Sequence, residues 1–421
     1  MSGYQVKDEL YLWWLGDPLL PVFVGTLRLL RTTQGVSLQY SAEWLSNGFA
    51  LSEDLPLTDP EHAPVEKNMA AGAVDDARPD RWGERVIRFI DKPPRLSLLE
   101  FLYFTGDERF GALGVSTSAK SYQPKPSGPL PRLEDVRAIH EVVRKILANE
   151  PVPEAERRLI APGATLGGAR PKALIQLDGY PWVVKFSELG DTMDVPLVEH
   201  ACLTLADKAR IRVVETRPIP LASGHALAVR RFDRQVVGDS VVRVHAQSAH
   251  VALRAEGTKP GYPELAQLLR RRGPVKEGFA REQMRELFRR MIFNILMDNT
   301  DDHEKNHALL MDDAKCLTLA PAFDVLPTAQ ALSYQQMRVG TDMADATVKN
   351  ALSEVAQFGL TAKDALAEAA RVAAVCENWR AHFSEAGVTD RDVAELARFI
   401  DRDFLRVQRK KLLSTPTVKP K

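Results

Sequence analysis

The first 120 residues alternate short apolar runs with glycine and proline, a pattern typical of β-strands joined by tight turns. Three such runs are Tyr11–Trp14, Pro21–Leu30 and Val36–Tyr40. Residues 122–131, YQPKPSGPLP, follow them and contain four prolines. Because proline lacks the amide hydrogen that a helix interior needs, we interpret this segment as a linker. The pattern therefore predicts an N-terminal β-rich domain over residues 1–120.

The next region, residues 121–235, combines an amphipathic helix with further strands. Apolar residues recur at helical spacing over residues 133–149. Two apolar runs, Lys172–Leu177 and Pro181–Phe186, flank the dipeptide at 178–179, Asp-Gly, which favours a β-hairpin. The remaining predicted elements are a helix at Val195–Lys208 and strands at Val213–Pro218 and Ala226–Phe232. We expect a second, strand-rich domain here.

Residues 236–421 are predicted to be mostly helical. Apolar side chains recur every three or four positions along Arg281–Met297, as on one face of a helix. Two longer helices are predicted at Ala362–Glu385 and Asp390–Leu413. Each of these two is preceded by a threonine, Thr361 or Thr389, which is a favourable N-cap. The helices indicate a third, helical domain.

Composition narrows the possible functions only a little. The 421 residues include 56 acidic and 56 basic ones, so bulk electrostatic binding to nucleic acid is not the expected main activity. Three widely spaced cysteines without a CxxC pair indicate reduced thiols. No signal peptide or membrane-spanning apolar stretch is recognisable. We therefore expect a cytoplasmic protein with no membrane partner.

Four features occur along the chain in an order that fits a kinase. They are a glycine-rich loop at residues 163–170, Lys185 in a strand, the segment Asn299–Asn306 (NTDDHEKN) and the segment Ala322–Val325 (AFDV). Backbone amides of a glycine-rich loop can approach phosphate oxygens closely, because no Cβ intervenes. A lysine on a strand adds a fixed cation. Each feature alone is weak, but together they indicate a kinase.

The third and fourth features supply the catalytic and metal-binding residues. In protein kinases an aspartate accepts the substrate hydroxyl proton, and an asparagine five positions later binds Mg²⁺. Asp301 and Asn306 have this spacing, and Asp324 follows a short apolar strand as a second metal ligand would. Oxygen ligands of this kind suit Mg²⁺. Neither a P-loop nor a dinucleotide-binding fingerprint is present in the sequence.

The segment His303–His307 also spells H-E-x-x-H, the motif of zinc proteases. Such enzymes need the motif on a helix, with a third ligand downstream. Residues 308–313, ALLMDD, instead predict a strand and a turn, and no glutamate occurs between Glu304 and Glu354. The next histidine is His382. A zinc hydrolase using His303, Glu304 and His307 stays as the less favoured alternative.

Several motifs, spread over nearly the full length, make the chain similar to HipA-type serine/threonine kinases, the toxins of bacterial toxin–antitoxin pairs. The most specific is NTDDHEKNH at residues 299–307, followed by PAFDVLPT at residues 321–328. The others are ARPDRWGERVI (77–87), GDERFGALGV (106–115), GGARPKALI (167–175) and AVRRFDR (228–234). The resemblance implies an α+β, two-lobed protein-kinase-like fold with an extra N-terminal β-rich domain and a mostly helical C-terminal lobe. The expected boundaries are 1–120, 121–235 and 236–421.

The resemblance also assigns roles to individual residues. Lys185 is similar to the ATP-contacting lysine, and Glu199 is a candidate for orienting it. Asp301 resembles the catalytic aspartate, and Asn306 and Asp324 resemble the Mg²⁺ ligands. The remaining nucleotide-binding positions are Gly167, Gly168, Ala169 and Arg170 of the phosphate loop, with Arg230 and Phe232 of the hinge that holds adenine. Thr165 stands where the family has a serine that can be autophosphorylated.

Partners and substrate are likewise expectations from the resemblance. The family implies a HipB-like helix-turn-helix antitoxin, operator DNA bound through that complex, and a translation factor such as an aminoacyl-tRNA synthetase as substrate. Residues 245–248, HAQS, replace an acidic run that is more usual in the family. A kinase-shaped corepressor that binds an antitoxin without catalysis is the second alternative. Retention of Lys185, Asp301, Asn306 and Asp324 favours the enzyme.

Overall fold

The computed structural model describes residues 4–161, 169–238, 240–255, 257 and 259–414. The chain divides into two compact units. The first unit comprises Met1–Leu189 and Ala228–Gln247, and the second comprises Gly190–Leu227 and Ser248–Lys421. None of the helices among the described residues is long and apolar enough to cross a membrane.

Strands and helices alternate along much of the chain. The strands are β1 (Glu9–Trp14), β2 (Val22–Leu30), β3 (Gly35–Tyr40), β4 (Leu113–Ser116), β5 (Lys172–Leu177), β6 (Tyr180–Lys185), β7 (Thr216–Pro220), β8 (His225–Arg230), β9 (Arg234–Val237), β10 (Ser240–Arg243), β11 (Ala246–Ser248), β12 (Ala308–Met311) and β13 (Leu317–Leu319). The helices are α1 (Ala42–Asn47), α2 (Arg81–Val86), α3 (Leu98–Phe104), α4 (Val136–Leu147), α5 (Glu154–Arg157), α6 (Val195–Lys208), α7 (Ala249–Ala255), α8 (Tyr262–Arg272), α9 (Phe279–Leu296), α10 (Val348–Ala351), α11 (Ala362–Glu377), α12 (Trp379–Glu385), α13 (Asp390–Ile400) and α14 (Asp403–Ser414).

The N-terminal part of the first unit is an antiparallel sheet with strand order β3-β2-β1-β4. Alternating side chains of these strands, such as Leu10 and Leu12 of β1, are fully buried. Helix α3 packs on the sheet and contributes Leu99 and Leu102 to the same core. The three strands predicted from the sequence over the first 40 residues are confirmed, because one face of each is apolar and buried.

The β5–β6 hairpin forms as predicted, with an antiparallel register that runs from Leu177 opposite Tyr180 to Lys172 opposite Lys185. Asp178 and Gly179 both have positive φ, at 50° and 79°. A two-residue turn with positive φ at both positions matches the right-handed twist of the flanking strands. β8, which crosses the boundary between the units, lies beside β6 in the first unit.

The second unit is built around α9, whose apolar residues are buried against α8 and α11. The predicted caps are confirmed, because Thr361 accepts a hydrogen bond from the amide of Asp364 at 3.1 Å and Thr389 from the amide of Asp392 at 3.2 Å. β12 and β13 pair antiparallel and carry the chain from the candidate catalytic loop to the candidate metal segment.

Two predicted helices are wrong in length, because each is broken in the structure. Residues 362–385 form α11 and α12, separated at Asn378, whose side-chain amide donates to the Ala374 carbonyl at 2.9 Å. Residues 390–413 divide into α13 and α14 at Asp401. The Asp401 carboxylate accepts hydrogen bonds from Trp379 Nε1 at 3.1 Å and Arg409 Nη2 at 2.7 Å. The Asp401 bonds to α12 and α14 outweigh the local preference for a continuous helix, whereas the Asn378 bond is local to the end of α11.

Candidate active site

Lys185, the expected ATP-contacting lysine, is the last residue of β6 in the first unit, and its side chain is 3% exposed. Ala169 and Arg170 lie just before β5 in the same unit. The other predicted phosphate-loop positions, Gly167 and Gly168, lie outside the described residues, as does Thr165. Their roles stay predictions.

The expected adenine-binding hinge runs from the end of β8 in the first unit. The guanidinium of Arg230 lies over the ring of Tyr180 in β6, at 3.8 Å from its centroid. Phe232 packs edge-on against Phe110, with ring centroids 6.1 Å apart. Both side chains therefore brace the hinge against other parts of the first unit. Their main chains stay the predicted contacts for adenine.

A buried charge cluster directly after the hinge was not recognised from the sequence. The Asp233 carboxylate, which is fully buried, accepts hydrogen bonds from Arg231 Nη2 at 2.7 Å, Arg234 Nη1 at 2.8 Å and the Gly111 amide at 2.8 Å. Burial alone raises the pKa of Asp233, but the two guanidinium groups outweigh this effect and hold the pKa well below its usual range. Both guanidinium groups also donate to the Arg109 carbonyl at 2.9 Å. The cluster ties the hinge motif to the GDERFGALGV motif.

Two of the residues at 245–248, where the sequence differs from the family pattern, make contacts inside the first unit. His245 Nε2 and Gln247 Nε2 lie 3.1 and 2.6 Å from the Leu51 carbonyl oxygen. The His245 ring packs at a tilt against Trp14, with ring centroids 5.4 Å apart. The described contacts of these two side chains therefore brace the N-terminal sheet.

The candidate catalytic loop of the second unit places Asp301 in solvent and Asn306 in the interior. Asn306 ends a single 3₁₀ turn over Glu304–Asn306, whose first hydrogen bond joins the Asn306 amide to the His303 carbonyl at 2.9 Å. Asn306 Nδ2 also lies 3.5 Å from the main-chain oxygen of Asp301. The turn thus places the Asn306 side chain next to the main chain of Asp301.

A network of buried polar side chains anchors this loop to the interior of the second unit. The Asp302 carboxylate, 2% exposed, accepts hydrogen bonds from Tyr262 Oη and from His307 Nε2, the latter at 2.8 Å. Burial raises the pKa of Asp302, but the His307 and Tyr262 contacts outweigh it, so the pKa lies below its ordinary value. Asn294 Nδ2 donates to Tyr262 Oη at 3.3 Å. Asp302 therefore holds the loop in place while the neighbouring Asp301 points outward.

A second anchor involves Glu304, which stands between Asp301 and Asn306 in the loop. Glu304 Oε1 lies 2.8 Å from Nδ1 of His250 on α7. The hydrogen bond to His250 lowers the pKa of Glu304 from 4.5 to about 2, against the opposing effect of burial. The sequence contained no signal for this contact, because 54 positions separate the two residues.

Asn306 and Asp324 have the oxygen-ligand chemistry that a Mg²⁺ site requires, and their assignment to such a site stays a prediction. Asn306 Oδ1 is buried and has no hydrogen-bond partner among the residues that the structure describes. The Asn306 side chain lines a small cavity together with Phe323 and Val325, the neighbours of Asp324. Asp324 adopts a left-handed backbone with φ of 57°, which is costly for a residue other than glycine. A carboxylate and an amide oxygen are ligands that Mg²⁺ accepts alongside water and phosphate oxygens.

The segment after Asp324 is joined to the residue that precedes the loop. Both the amide and the hydroxyl of Thr328 donate to the Asp298 carbonyl at 2.9 Å, and the Thr328 hydroxyl also lies 2.6 Å from that of Thr300. Arg402 donates to the Asp298 carboxylate at 2.8 Å. Burial raises the pKa of Asp298 to about 6, although Arg402 acts in the opposite direction. These bonds couple the positions of the two candidate metal ligands.

Glu199, the candidate for orienting Lys185, is the fifth residue of α6 in the second unit and is 2% exposed. Its burial is compatible with an ion-pairing role, because a lone buried carboxylate is costly. Its pairing with Lys185 stays a prediction.

The zinc-hydrolase alternative is contradicted by the local structure. The five residues His303–His307 form a 3₁₀ turn and the approach to β12, not the helix on which that motif binds zinc. His307 Nε2 is engaged by Asp302, and Glu304 by His250. Within the described residues, no three histidine, cysteine, aspartate or glutamate side chains converge as a metal site.

Comparisons with known proteins give two matching family models. The HipA-like C-terminal domain matches residues 164–381, about half of the chain, and the HipA N-terminal domain matches residues 21–116. Among solved structures, HipA of Shewanella oneidensis, in a toxin–antitoxin complex with HipB and operator DNA, is similar with a TM-score of 0.63 and 18% identity. That similarity covers 96% of this chain and 97% of the other. It confirms the predicted α+β, kinase-like fold.

Two further similarities are more limited. The Sinorhizobium fredii protein named "Putative kinase Y4dM" is 29% identical over 162 residues, which are 36% of this chain. The matched part spans 38% of the length of that relative. The Helicobacter pylori proinflammatory kinase CtkA gives a TM-score of 0.43 at 14% identity and covers 61% of this chain and 97% of the other.

Proposed function

The chain belongs to the HipA family, and from this premise we propose that it is a Mg²⁺- and ATP-dependent serine/threonine protein kinase. One observation carries the proposal. A solvent-exposed aspartate, Asp301, is followed five positions later by Asn306, whose side-chain oxygen is buried without a described partner. Asp302 fixes the loop between them by two buried hydrogen bonds. The arrangement has the spacing that kinases use for base and metal ligand.

The proposed site residues of the second unit then have distinct roles. Asp301 accepts the proton of a serine or threonine hydroxyl as that oxygen attacks the terminal phosphorus of ATP, and the bond to the bridging oxygen breaks so that ADP leaves. Asn306 and Asp324 would hold Mg²⁺, which when bound would neutralise charge on the phosphates. Thr328 keeps the Asp324 segment joined to the loop through the Asp298 carbonyl.

The nucleotide would be held by residues of the first unit. We propose that the main chain around Gly167, Gly168, Ala169 and Arg170 contacts the phosphates, and that Lys185 adds a cation. Arg230 and Phe232 would offer main-chain hydrogen bonds to adenine. The buried cluster at Asp233 supports the hinge assignment, because it makes the segment after Phe232 rigid.

We further propose that the kinase is the toxin of a toxin–antitoxin pair. The support is family membership, together with the fold similarity to the Shewanella HipA described in complex with HipB and operator DNA. The partner would be a HipB-like helix-turn-helix protein, and the substrate a translation factor such as an aminoacyl-tRNA synthetase. Because the net charge is zero, the chain alone should bind DNA only weakly at physiological salt.

Thr165 is proposed as a site of autophosphorylation. It belongs to the phosphate loop in sequence, where a phosphoryl group would bring about −1.5 to −2 charges at neutral pH. A group of that charge would repel the phosphates of ATP. The modification would therefore switch the kinase off.

The test of the proposed activity is incubation with γ-labelled ATP, Mg²⁺ and a lysate of the source cell. The native chain should transfer label to serine or threonine of another protein, whose phosphosites are then mapped. Asp301→Asn should transfer label about 10²–10⁴-fold more slowly, while Asp313→Asn, at an exposed turn aspartate, should behave as the native chain does. If the native chain binds an antitoxin but transfers no label under any condition, the kinase assignment is wrong and the corepressor alternative holds.

A further inference from the structure

An arginine at the break between α13 and α14 joins two segments of the candidate site. The side chain of this residue, Arg402, is 17% exposed. Its Nη2 donates to the Asp298 carboxylate at 2.8 Å and to the Leu332 carbonyl oxygen at 2.5 Å. Asp298 directly precedes the candidate catalytic loop, and Leu332 belongs to the segment that follows Asp324. One guanidinium nitrogen therefore connects three parts of the second unit that are far apart along the chain.

Helix α14 also contacts the end of α9, the helix that leads into the catalytic loop. Arg409 of α14 is buried, and its Nη1 donates to the carbonyl oxygens of Leu296 at 3.3 Å and Ile400 at 2.8 Å. Leu296 is the last residue of α9, and the final carbonyls of a helix have no partner within it. A cation there also interacts favourably with the helix dipole. The α13–α14 region thus holds the chain on the approach to the loop.

The two segments that Arg402 joins contain four residues with a left-handed backbone. Asp298 and Asp324 have φ of 57°, and Ala329 and Ala331 have φ of 54°. None of the four is glycine, so each of these conformations is costly. Such conformations persist where surrounding contacts determine them, and they occur most often at functional sites. The contacts of Arg402 therefore help to hold a geometry that the local sequence does not favour.

We propose that Arg402 is a positioning residue for phosphoryl transfer. Its guanidinium acts through Asp298 and Leu332 and keeps the catalytic loop and the segment after Asp324 in one relative position. Asp301 lies three positions after Asp298, so a shift of Asp298 moves the proposed base relative to the proposed metal ligand. A misplacement of about 1 Å in such groups can lower a rate by about 10²-fold. The inference rests on the proposed function, because it takes Asp301 as the base.

The test compares Arg402→Met with the native chain in steady-state kinetics and in ATP binding. Methionine keeps much of the length of arginine but donates no hydrogen bond. The kcat per folded molecule should fall about 10- to 100-fold. The Kd of ATP without Mg²⁺ should stay within about threefold of native, because the proposed nucleotide contacts lie in the first unit. Arg402→Lys should recover most of the lost kcat, because a single nitrogen makes both native bonds and an ammonium group can replace it.

The matched control is Arg289→Met, in α9 of the same unit. Arg289 Nε donates to Glu368 at 2.9 Å, and its Nη1 donates to Glu282 at 3.0 Å and to the Arg210 carbonyl at 3.2 Å. The control therefore loses buried contacts of the same kind as Arg402→Met does, and thermal unfolding should show a comparable destabilisation. Its kcat per folded molecule should stay within about threefold of native. An equal loss of kcat in both variants would overturn the proposal.

Asp298→Asn tests the same ion pair from its other side. If Arg402 acts through the Asp298 carboxylate, the double variant should lose less kcat than the product of the two single losses, and a full product would overturn this route. Should Arg402→Met fail to fold, Asp298→Asn decides, because a loss of about tenfold in kcat supports the proposal and a native kcat overturns it. A native chain that transfers no phosphate would contradict the proposed function. A native kcat in Arg402→Met would refute only the role of Arg402.

Discussion

Replacing Glu304 by glutamine should remove a contribution to stability that depends on pH. Glu304 lies in the candidate catalytic loop, and its side chain is 20% exposed and bonded to His250 on α7. The pKa of this carboxyl is lowered from 4.5 to about 2, chiefly by the bond to His250. One pKa unit corresponds to about 1.4 kcal/mol, so the folded state gains at most about 3 kcal/mol from the charged form at neutral pH.

The sign of the pH dependence follows from the lowered pKa. The unfolded state binds more protons than the folded state between about pH 2 and 4.5, so the contribution is complete above pH 4.5 and is lost as the pH falls through this window. The native chain should therefore exceed Glu304→Gln by about 2–3 kcal/mol in unfolding free energy at pH 7. The difference should shrink steadily below pH 4.5.

Urea unfolding between pH 3 and 7, followed by tryptophan fluorescence, measures this difference. Trp379 is the one tryptophan of the sequence that belongs to the second unit, and it is buried. The control is the same substitution in a His250→Ala background, where the hydrogen bond is already absent and Glu304→Gln should cost little. A cost that is the same at pH 3 and pH 7, or the same in both backgrounds, would refute the reasoning.

Three other expectations follow from the site. Asp324→Ala should remove the Mg²⁺-dependent part of the ATP affinity, which calorimetry with and without Mg²⁺ measures. If the ATP affinity of the variant depends on Mg²⁺ as in the native chain, Asp324 has only a structural role. Phosphate should appear on Thr165 when the native chain is incubated with Mg²⁺-ATP, and it should be absent from Asp301→Asn. Mass spectrometry measures this modification. If Thr165 stays unmodified in a chain that phosphorylates other proteins, self-inhibition through Thr165 is excluded. Asp233→Asn should destabilise the protein by about 3–5 kcal/mol, because it leaves two buried guanidinium groups without their carboxylate. Urea unfolding checks this against Asp59→Asn at an exposed position, and equal stabilities would contradict it.

The parts of the fold that the sequence predicted well are those with a strong apolar period. The helix at Val195–Lys208 and the strand at Lys172–Leu177 have the predicted bounds, because each combines an apolar pattern with a local signal at one end, the Asp194 N-cap or the Asp178-Gly179 turn. The breaks at Asn378 and Asp401 were missed. At Asp401 the hydrogen bond comes from Trp379, 22 positions earlier, and no local pattern reveals such a contact. Local periodicity describes an element but not the contacts that end it.

In the candidate site, too, local spacing could be predicted from the sequence and long-range contacts could not. The spacing of Asp301 and Asn306 was visible in the sequence, because both lie on one loop of six residues. The anchors of that loop were not visible, because Tyr262 and His250 are 40 and 54 positions away from their partners. The pairing of Asp80 with Lys172 spans 92 positions. The motifs around these residues were recognised as family features, but the charges that join them emerge only from the fold.

The most direct measurement of the central claim compares phosphoryl transfer and ATP binding in the native chain and in Asp301→Asn. Asp301 is assigned to the substrate hydroxyl and not to the nucleotide. The rate of transfer from γ-labelled ATP to the mapped substrate should therefore fall by about 10²–10⁴, while the Kd of Mg²⁺-ATP stays close to the native value. A variant that transfers phosphate at the native rate would contradict the assignment of Asp301 as the catalytic base, and with it the mechanism proposed for this loop.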